Sequence, residues 1–181
     1  MEQRERTLEQ EHIYTGRIFD IEKYKVQLEN GKETLREVVV HHGGACVVAL
    51  NQAGEVLMER QFRFPTGQVL WELPAGKLER GEDPMAAAGR ELEEETGYAA
   101  GRLEPLTTIW PTPAYCTEVI HLYRARDLRP TQQHLDPDEY LSVEWVPLER
   151  AAAMVLSGEI TDAKTQVGIL MTLVQERASQ S

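Results

Sequence analysis

The stretch that decides how this chain is read runs from Gly76 to Tyr98, GKLERGEDPMAAAGRELEEETGY. Its centre predicts an α-helix over 84–96. Asp83 suits the N-cap, Gly97 suits the C-terminal stop, and Pro84 suits the first helical position, where a missing N–H costs nothing. At about 100° per residue, Met85, Ala88, Gly89, Leu92 and Thr96 fall on one side, a small apolar stripe suited to packing on a sheet. Glu91, Glu94 and Glu95 fall together in one arc of about 100° beside that stripe, with Arg90 one turn from Glu94 and Glu93 projecting away.

A solvated acidic face is the plainer reading of a Glu-rich helix. Residues 79–95, however, hold seven acids against two bases, Arg80 and Arg90, whereas exposed helices usually interleave Lys at i+4. Two carboxylates about 6 Å apart repel by roughly 0.7 kcal/mol in water and by about 3 at an effective dielectric of 20. Three gathered together therefore call for a counter-ion. All-oxygen ligands of this kind suit Mg²⁺, with Mn²⁺ as a substitute, because these hard cations keep several waters and bridge to phosphate groups. The alternating Asp/Asn loop of an EF-hand is missing from the stretch.

Working outward, Asn30-Gly31 separates two strand-like runs between Gly16 and Val40 and predicts a β-hairpin. The first dozen residues read as a frayed arm or a short edge element. Ala45–Leu50 and Glu55–Phe62 read as another strand pair, and Leu70–Leu73 as a short strand that ends at Pro74. Strands resume at Leu103–Trp110, Val119–Ala125 and Leu141–Val146. Pro147 then opens a helix to about Leu156, and a last helix runs from Thr161 or Asp162 to about Arg177. Strands first, one helix in mid-chain and helices last predict an α+β or mixed α/β sandwich and not a doubly wound fold. Residues 1–40 form an N-terminal arm and hairpin belonging to the same unit as the main domain, 41–181.

The chain has 181 residues, 41% hydrophobic and 27% charged, with a net charge of −11. That is the composition of one globular domain. So acidic a chain lacks the footprint for gripping a nucleic-acid backbone, though it can handle small anions through a cation. The charged N-terminus shows no secretory signal, and no apolar run is long enough to span a membrane. Cys46 and Cys116 form neither a disulfide framework nor a metal spacing, which predicts a cytoplasmic protein.

At the quoted residues the sequence resembles the Nudix hydrolase family. The family's box is Gly, five residues, Glu, seven residues, then Arg-Glu-aliphatic-x-Glu-Glu-x-Gly-aliphatic. Gly76, Glu82, Arg90, Glu91, Leu92, Glu94, Glu95 and Gly97 meet it, with Tyr98 in place of the last aliphatic residue. The resemblance implies an α/β/α sandwich with a mixed sheet, and cleavage of a nucleoside diphosphate linked to another moiety. It implies Glu91, Glu94 and Glu95 as metal ligands, joined by the backbone carbonyl of Ala75, with Glu82 as a supporting ligand and Arg90 orienting the glutamates. Divalent ions would neutralise the pyrophosphate, activate the water and steady the leaving phosphate.

Further stretches resemble the ADP-ribose pyrophosphatase branch of that family. Thr112-Pro113-Ala114-Tyr115-Cys116-Thr117-Glu118 keeps the Pro and Glu of that branch's Ser-Pro-Gly-x-x-x-Glu, which makes Pro113 and Glu118 candidate substrate contacts. The acidic stretch Asp136-Pro137-Asp138-Glu139 resembles the loop that supplies the general base, either Glu139 or Asp138; a plain solvated turn is the alternative. The resemblance gives Arg17 and Ile18 to the adenine end and Arg36 and Arg63 to the diphosphate, where guanidinium groups pair with phosphate oxygens. It also implies a homodimer that exchanges N-terminal strands. Gly158–Thr165 is read as structural, and Trp71, Trp110 and Trp145 as core packing before base stacking. The expected reaction is hydrolysis of ADP-ribose to AMP and ribose 5-phosphate. The alternatives are the same chemistry on a nucleotide sugar, dinucleotide or oxidised nucleotide, and a non-hydrolysing ADP-ribose sensor.

Overall fold

The computed structural model describes residues 4–137 and 139–179. They fall into two compact units, 4–43 with 110–119, and 44–109 with 120–179.

The first unit is an antiparallel sheet of β1 (Arg6–Thr15), β2 (Phe19–Gln27) and β3 (Glu33–His41), in that order. The expected hairpin is β2–β3. Leu28 and Lys32 close a three-residue loop in which Gly31 takes φ 79° and Asn30 Oδ1 accepts from the Lys32 N–H at 3.0 Å. From Arg6 on, the arm is neither frayed nor short, because β1 runs ten residues against β2. Its signal is alternation of charge instead of hydrophobicity. Cross-strand partners Glu11 and Lys23 approach to 3.2 Å, and His12 and Glu22 to 2.9 Å. In the 110–119 segment, Thr112 O accepts from the N–H groups of Tyr115 and Cys116, and Glu118 lies 3.6 Å from His41 Nδ1.

The second unit is built around β4 (Gly44–Ala49), every residue of which is buried. A strand buried on both faces needs neighbours on both edges and helices on both sides. Its sheet has the order β7-β4-β10-β9, from β7 (Ala75–Lys77), β9 (Arg102–Ile109) and β10 (Ile120–Arg126), with β10 parallel to β4. A second sheet, β12-β5-β6, joins β5 (Glu55–Arg63), β6 (Gln68–Glu72) and β12 (Leu141–Pro147). A two-residue ribbon pairs β8 (Tyr98–Ala99) with β11 (Arg129–Pro130).

The β4 and β5 runs were expected to pair. They lie in different sheets and share one isolated bridge, Leu50 to Val56. Asn51 turns the chain between them, its Oδ1 accepting from the N–H groups of Ala53 and Glu55. That leaves β4 free to take β10 as its neighbour.

Side-chain alternation along β4 produces the layers. Cys46 and Val48 join a core with Met58, Met154 and Ile169, while Ala45, Val47 and Ala49 join another with Leu57, Ala88 and Leu92. Helix α1 (Pro84–Thr96) covers the second core; α2 (Leu148–Ser157) and α3 (Ala163–Ser179) cover the first. The mixed α/β/α sandwich is therefore as expected. Leu92 is fully buried, and cutting it back to Ala would cost about 2–5 kcal/mol. Among the described residues no helix is long and apolar enough to cross a membrane.

Candidate active site

The start and stop of α1 are those its sequence predicts. Asp83 accepts from the N–H groups of Met85 and Ala86, and Gly97 ends the helix at φ 71°. The buried face is rotated from the expected stripe, however. Met85 is 38% exposed, whereas Ala87, Ala88, Leu92, Glu95 and Thr96 are buried. The rotation carries Glu95 inward, where its Oε2 accepts the Ala75 N–H at 2.8 Å. The partner on β7 is what allows a carboxylate to sit where periodicity would place an apolar group.

Glu91 packs directly on Gly76. A Cβ at Gly76 would lie 2.0 Å from the Glu91 carboxyl carbon, so only glycine leaves room for this side chain. Arg90 then ties the acids together. Its Nε and Nη2 donate to the two oxygens of Glu82 at 3.0 and 3.1 Å. Its Nη1 reaches Glu94 Oε2 and Glu91 Oε1, both at 2.9 Å. This hydrogen bonding from Arg90 draws the Glu82 carboxyl below its usual range. Burial pushes Glu91 the other way, upward, against the pull of Arg90. Glu91, Glu94, Glu95, Glu82, Ala75 and Arg90 thus form one connected group.

Two buried acids of the second sheet were missed by sequence reasoning. Glu59 on β5 and Glu72 on β6 are cross-strand partners, each 2% exposed. Glu72 is neutralised: Arg63 grips it with Nε and Nη2 at 2.6 and 2.8 Å, and Lys164 adds a third ion pair. Burial works to raise its pKa, but Arg63 and Lys164 outweigh burial and hold it down to about 2. Arg63, expected on the diphosphate, therefore already makes a bidentate pair with Glu72. Glu59 feels the same two cations only through space, and its Oε1 finds no hydrogen-bond partner. Burial first, then the charges of neighbouring acids (Glu72 and Glu139 at Glu59; Glu59, Glu91 and Glu139 at Glu95), pushes both carboxyls well above the ordinary carboxylate range. No motif marks Glu59. The available signal was a charged residue at an inward position of an otherwise apolar strand.

The Gly158–Thr165 segment, for which the sequence suggests a structural role, ties α3 to β6 and the residue after it. Thr165 Oγ1 accepts the Leu73 N–H at 2.9 Å, and Lys164 reaches Glu72 from the start of α3.

The loop before β12 docks on the last turn of α1, whose carbonyl groups lack helical partners. The N–H groups of Thr131 and His134 donate to Gly97 O at 2.7 Å and Glu94 O at 2.8 Å, and Gln133 Nε2 donates to Glu95 O. This anchoring leads the chain to Glu139, whose charge is felt at Glu59, Glu91 and Glu95. Asp138 lies outside the described residues.

In the first unit, Arg17, Ile18 and Pro113 are exposed, and Glu118 is half-buried beside His41. The Arg36 guanidinium pairs with Glu5 through Nε, at 3.1 Å, and Nη2. Trp110 is 57% exposed, so the core-packing expectation fails there. In the second unit, Trp71 lies under Arg60 and Trp145 meets Tyr98 edge-on, both in packed surroundings. Cys46 is fully buried, and burial pushes its thiol up, so it offers no thiolate nucleophile.

Among the described residues, no three acidic, imidazole or thiol side chains converge as a finished metal cluster. Arg90 draws three of the glutamates onto itself, and Ala75 holds the fourth. The donor set still fits a hard divalent cation. All its side chains offer oxygen, Gly76 leaves space for Glu91, and Glu59 keeps an unsatisfied buried oxygen among acids that raise one another's proton affinity.

The NUDIX domain family model matches residues 40–165, and the chain belongs to that family, whose hydrolases generally use divalent metal ions. Among curated relatives, the chain is 40% identical over 174 residues to the ADP-ribose pyrophosphatase of Bacillus subtilis (strain 168), covering 95% of this chain and 94% of that protein. It is 37% identical to the methanol dehydrogenase activator of Bacillus methanolicus, with the same coverage. It is 36% identical to the ADP-ribose pyrophosphatase of Mycobacterium tuberculosis, over 91% of this chain and 81% of that protein. A solved structure described as an ADP compounds hydrolase superposes with a TM-score of 0.86 at 21% identity, covering 98% of this chain and 96% of that one, which shows the shared fold.

Proposed function

We propose that this Nudix hydrolase cleaves the pyrophosphate of ADP-ribose, releasing AMP and ribose 5-phosphate, with Mg²⁺ as cofactor and Mn²⁺ as a substitute. The observation that carries the reading is the connected group of Ala75, Glu82, Arg90, Glu91, Glu94 and Glu95, together with relatives named for that reaction at 36–40% identity. Glu91, Glu94, Glu95 and the Ala75 carbonyl would hold the cation, with Glu82 supporting. The cation, when bound, would supply positive charge that neutralises the diphosphate, so that its charge no longer repels the attacking water, and that stabilises the leaving phosphate.

The chain's own residues do the rest. Arg90 fixes the glutamates at the spacing its fork dictates. Glu139 or Asp138 accepts a proton from the attacking water; the docked loop and the electrostatic reach of Glu139 support Glu139. One P–O bond forms to water, and the P–O bond to the bridging oxygen breaks. Arg17, Ile18, Arg36, Arg63, Pro113 and Glu118 are assigned to substrate, Arg36 and Arg63 on the condition that a phosphate displaces Glu5 and Glu72 from their guanidinium groups. The reading includes a homodimer acting on a nucleoside diphosphate derivative in the cytoplasm, supported there by two free cysteines.

The test is product analysis by chromatography after incubation with ADP-ribose, with Mg²⁺ and with EDTA. The reading predicts equal amounts of AMP and ribose 5-phosphate with Mg²⁺ and neither with EDTA. Binding of ADP-ribose without turnover at saturating Mg²⁺ would make the protein a sensor.

A further inference from the structure

We infer that Glu59 is a further ligand of the divalent-cation site, presented by the sheet to the glutamates of α1. This inference rests on the cation-assisted reaction proposed above. Side chains alternate along β5. Val56 and Met58 enter the core under α2 and α3, while Leu57 enters the core under α1. Glu59 shares the face of Leu57 and so points toward the layer that carries Glu95. It is 2% exposed with one carboxylate oxygen unpartnered.

An apolar side chain would fill that position without the cost of desolvating a carboxylate. Nearby bases do not explain its presence. Arg63 and Lys164 are both committed to Glu72, the cross-strand partner of Glu59. The charges of Lys164 and Arg63 reach Glu59 and offset part of its burial, but against them stand three acids, Glu72, Glu95 and Glu139. A buried acid surrounded by acids is accommodated either by a proton shared with a neighbour or by a cation. The helix glutamates beside it are the proposed cation ligands, which selects the second.

The experiment is Mn²⁺ titration of the full chain, followed by the electron paramagnetic resonance signal of free Mn²⁺, for wild type, Glu59→Gln and Glu95→Gln. Thermal unfolding is recorded with and without Mn²⁺. Both variants are expected to bind Mn²⁺ at least about tenfold more weakly than wild type. Glu59→Gln should unfold no lower than wild type without Mn²⁺, since it removes an unpaired buried acid, and should show a smaller Mn²⁺-dependent rise in Tm. Glu59→Gln binding within twofold of wild type, while Glu95→Gln loses binding, would overturn the inference and leave the proposed function standing. Failure of the wild type to bind Mn²⁺ would overturn both. If Glu59→Gln does not fold, Glu59→Asp keeps the charge but shortens the reach, and an unchanged Mn²⁺ affinity in it would equally overturn the inference.

Discussion

The carboxylate of Glu95 accepts the backbone N–H of Ala75 at 2.8 Å, joining the last turn of α1 to the edge strand β7. One interaction thereby secures the helix to the sheet and orients a side chain proposed to hold the cation. Glu95→Gln retains an oxygen able to accept that hydrogen bond but loses the charge. Its kcat should fall by at least about 100-fold, with circular dichroism and Tm close to wild type. A fall in Tm of the size expected for a core cavity would mean that Glu95 acts through the fold.

Arg90 supports Glu82, Glu91 and Glu94 from one guanidinium. Lysine carries the charge without the planar fork. Arg90→Lys is therefore expected to lower kcat by about 10- to 100-fold, with Mn²⁺ affinity falling in parallel. Wild-type kcat and Mn²⁺ affinity in Arg90→Lys would show that charge alone suffices.

Gly76→Ala puts a methyl group where the Glu91 carboxylate lies. The obstructing atoms are the end of a flexible side chain, so Glu91 swings away and the backbone stays. The expected result is a folded protein with Tm within a few degrees of wild type and activity near that of Glu91→Gln.

Glu72 should govern stability in acid. Its folded-state pKa of about 2 lies below the ordinary 4.5, so the unfolded chain takes up a proton first as pH falls. The stabilisation is complete above about pH 5.5 and is lost progressively as pH falls toward 2, at most about 3 kcal/mol. Glu72→Gln should remove most of this slope in urea unfolding between those pH values. An unchanged slope would assign acid sensitivity to other groups.

The sequence made α1 legible because its start, stop and chemistry each have local causes: a capping Asp, a left-handed Gly and carboxylates at helical spacing. The rotation of its buried face was not legible. That depends on Ala75, whose N–H makes burial of Glu95 tolerable and which reaches the helix only through the fold. The pairing of β4 with β10 was hidden for the same reason, because an Asn-to-Gly turn suggests a local hairpin while parallel pairing is decided by residues 76 positions apart (Gly44 with Ile120). Glu59 escaped because it has no motif spacing, and its meaning lies in the acids brought beside it by β6, α1 and the loop before β12. Strand β1 was underestimated because charge alternation, satisfied only by β2, stands in for apolar alternation.

The loop base is separable from binding. Glu139→Gln should lower kcat by at least about tenfold with KM nearly unchanged, whereas Asp138→Asn should have the smaller effect. The reverse order would make Asp138 the base.

Hydrolysis of ADP-ribose is best checked by kcat/KM values with Mg²⁺ for ADP-ribose, ADP-glucose, GDP-mannose, NADH, diadenosine polyphosphates and 8-oxo-dGTP, with products identified by chromatography. The account predicts that ADP-ribose is preferred by at least about tenfold and yields AMP and ribose 5-phosphate. A preference for another substrate, or ADP-ribose left intact while others are cleaved, would contradict it.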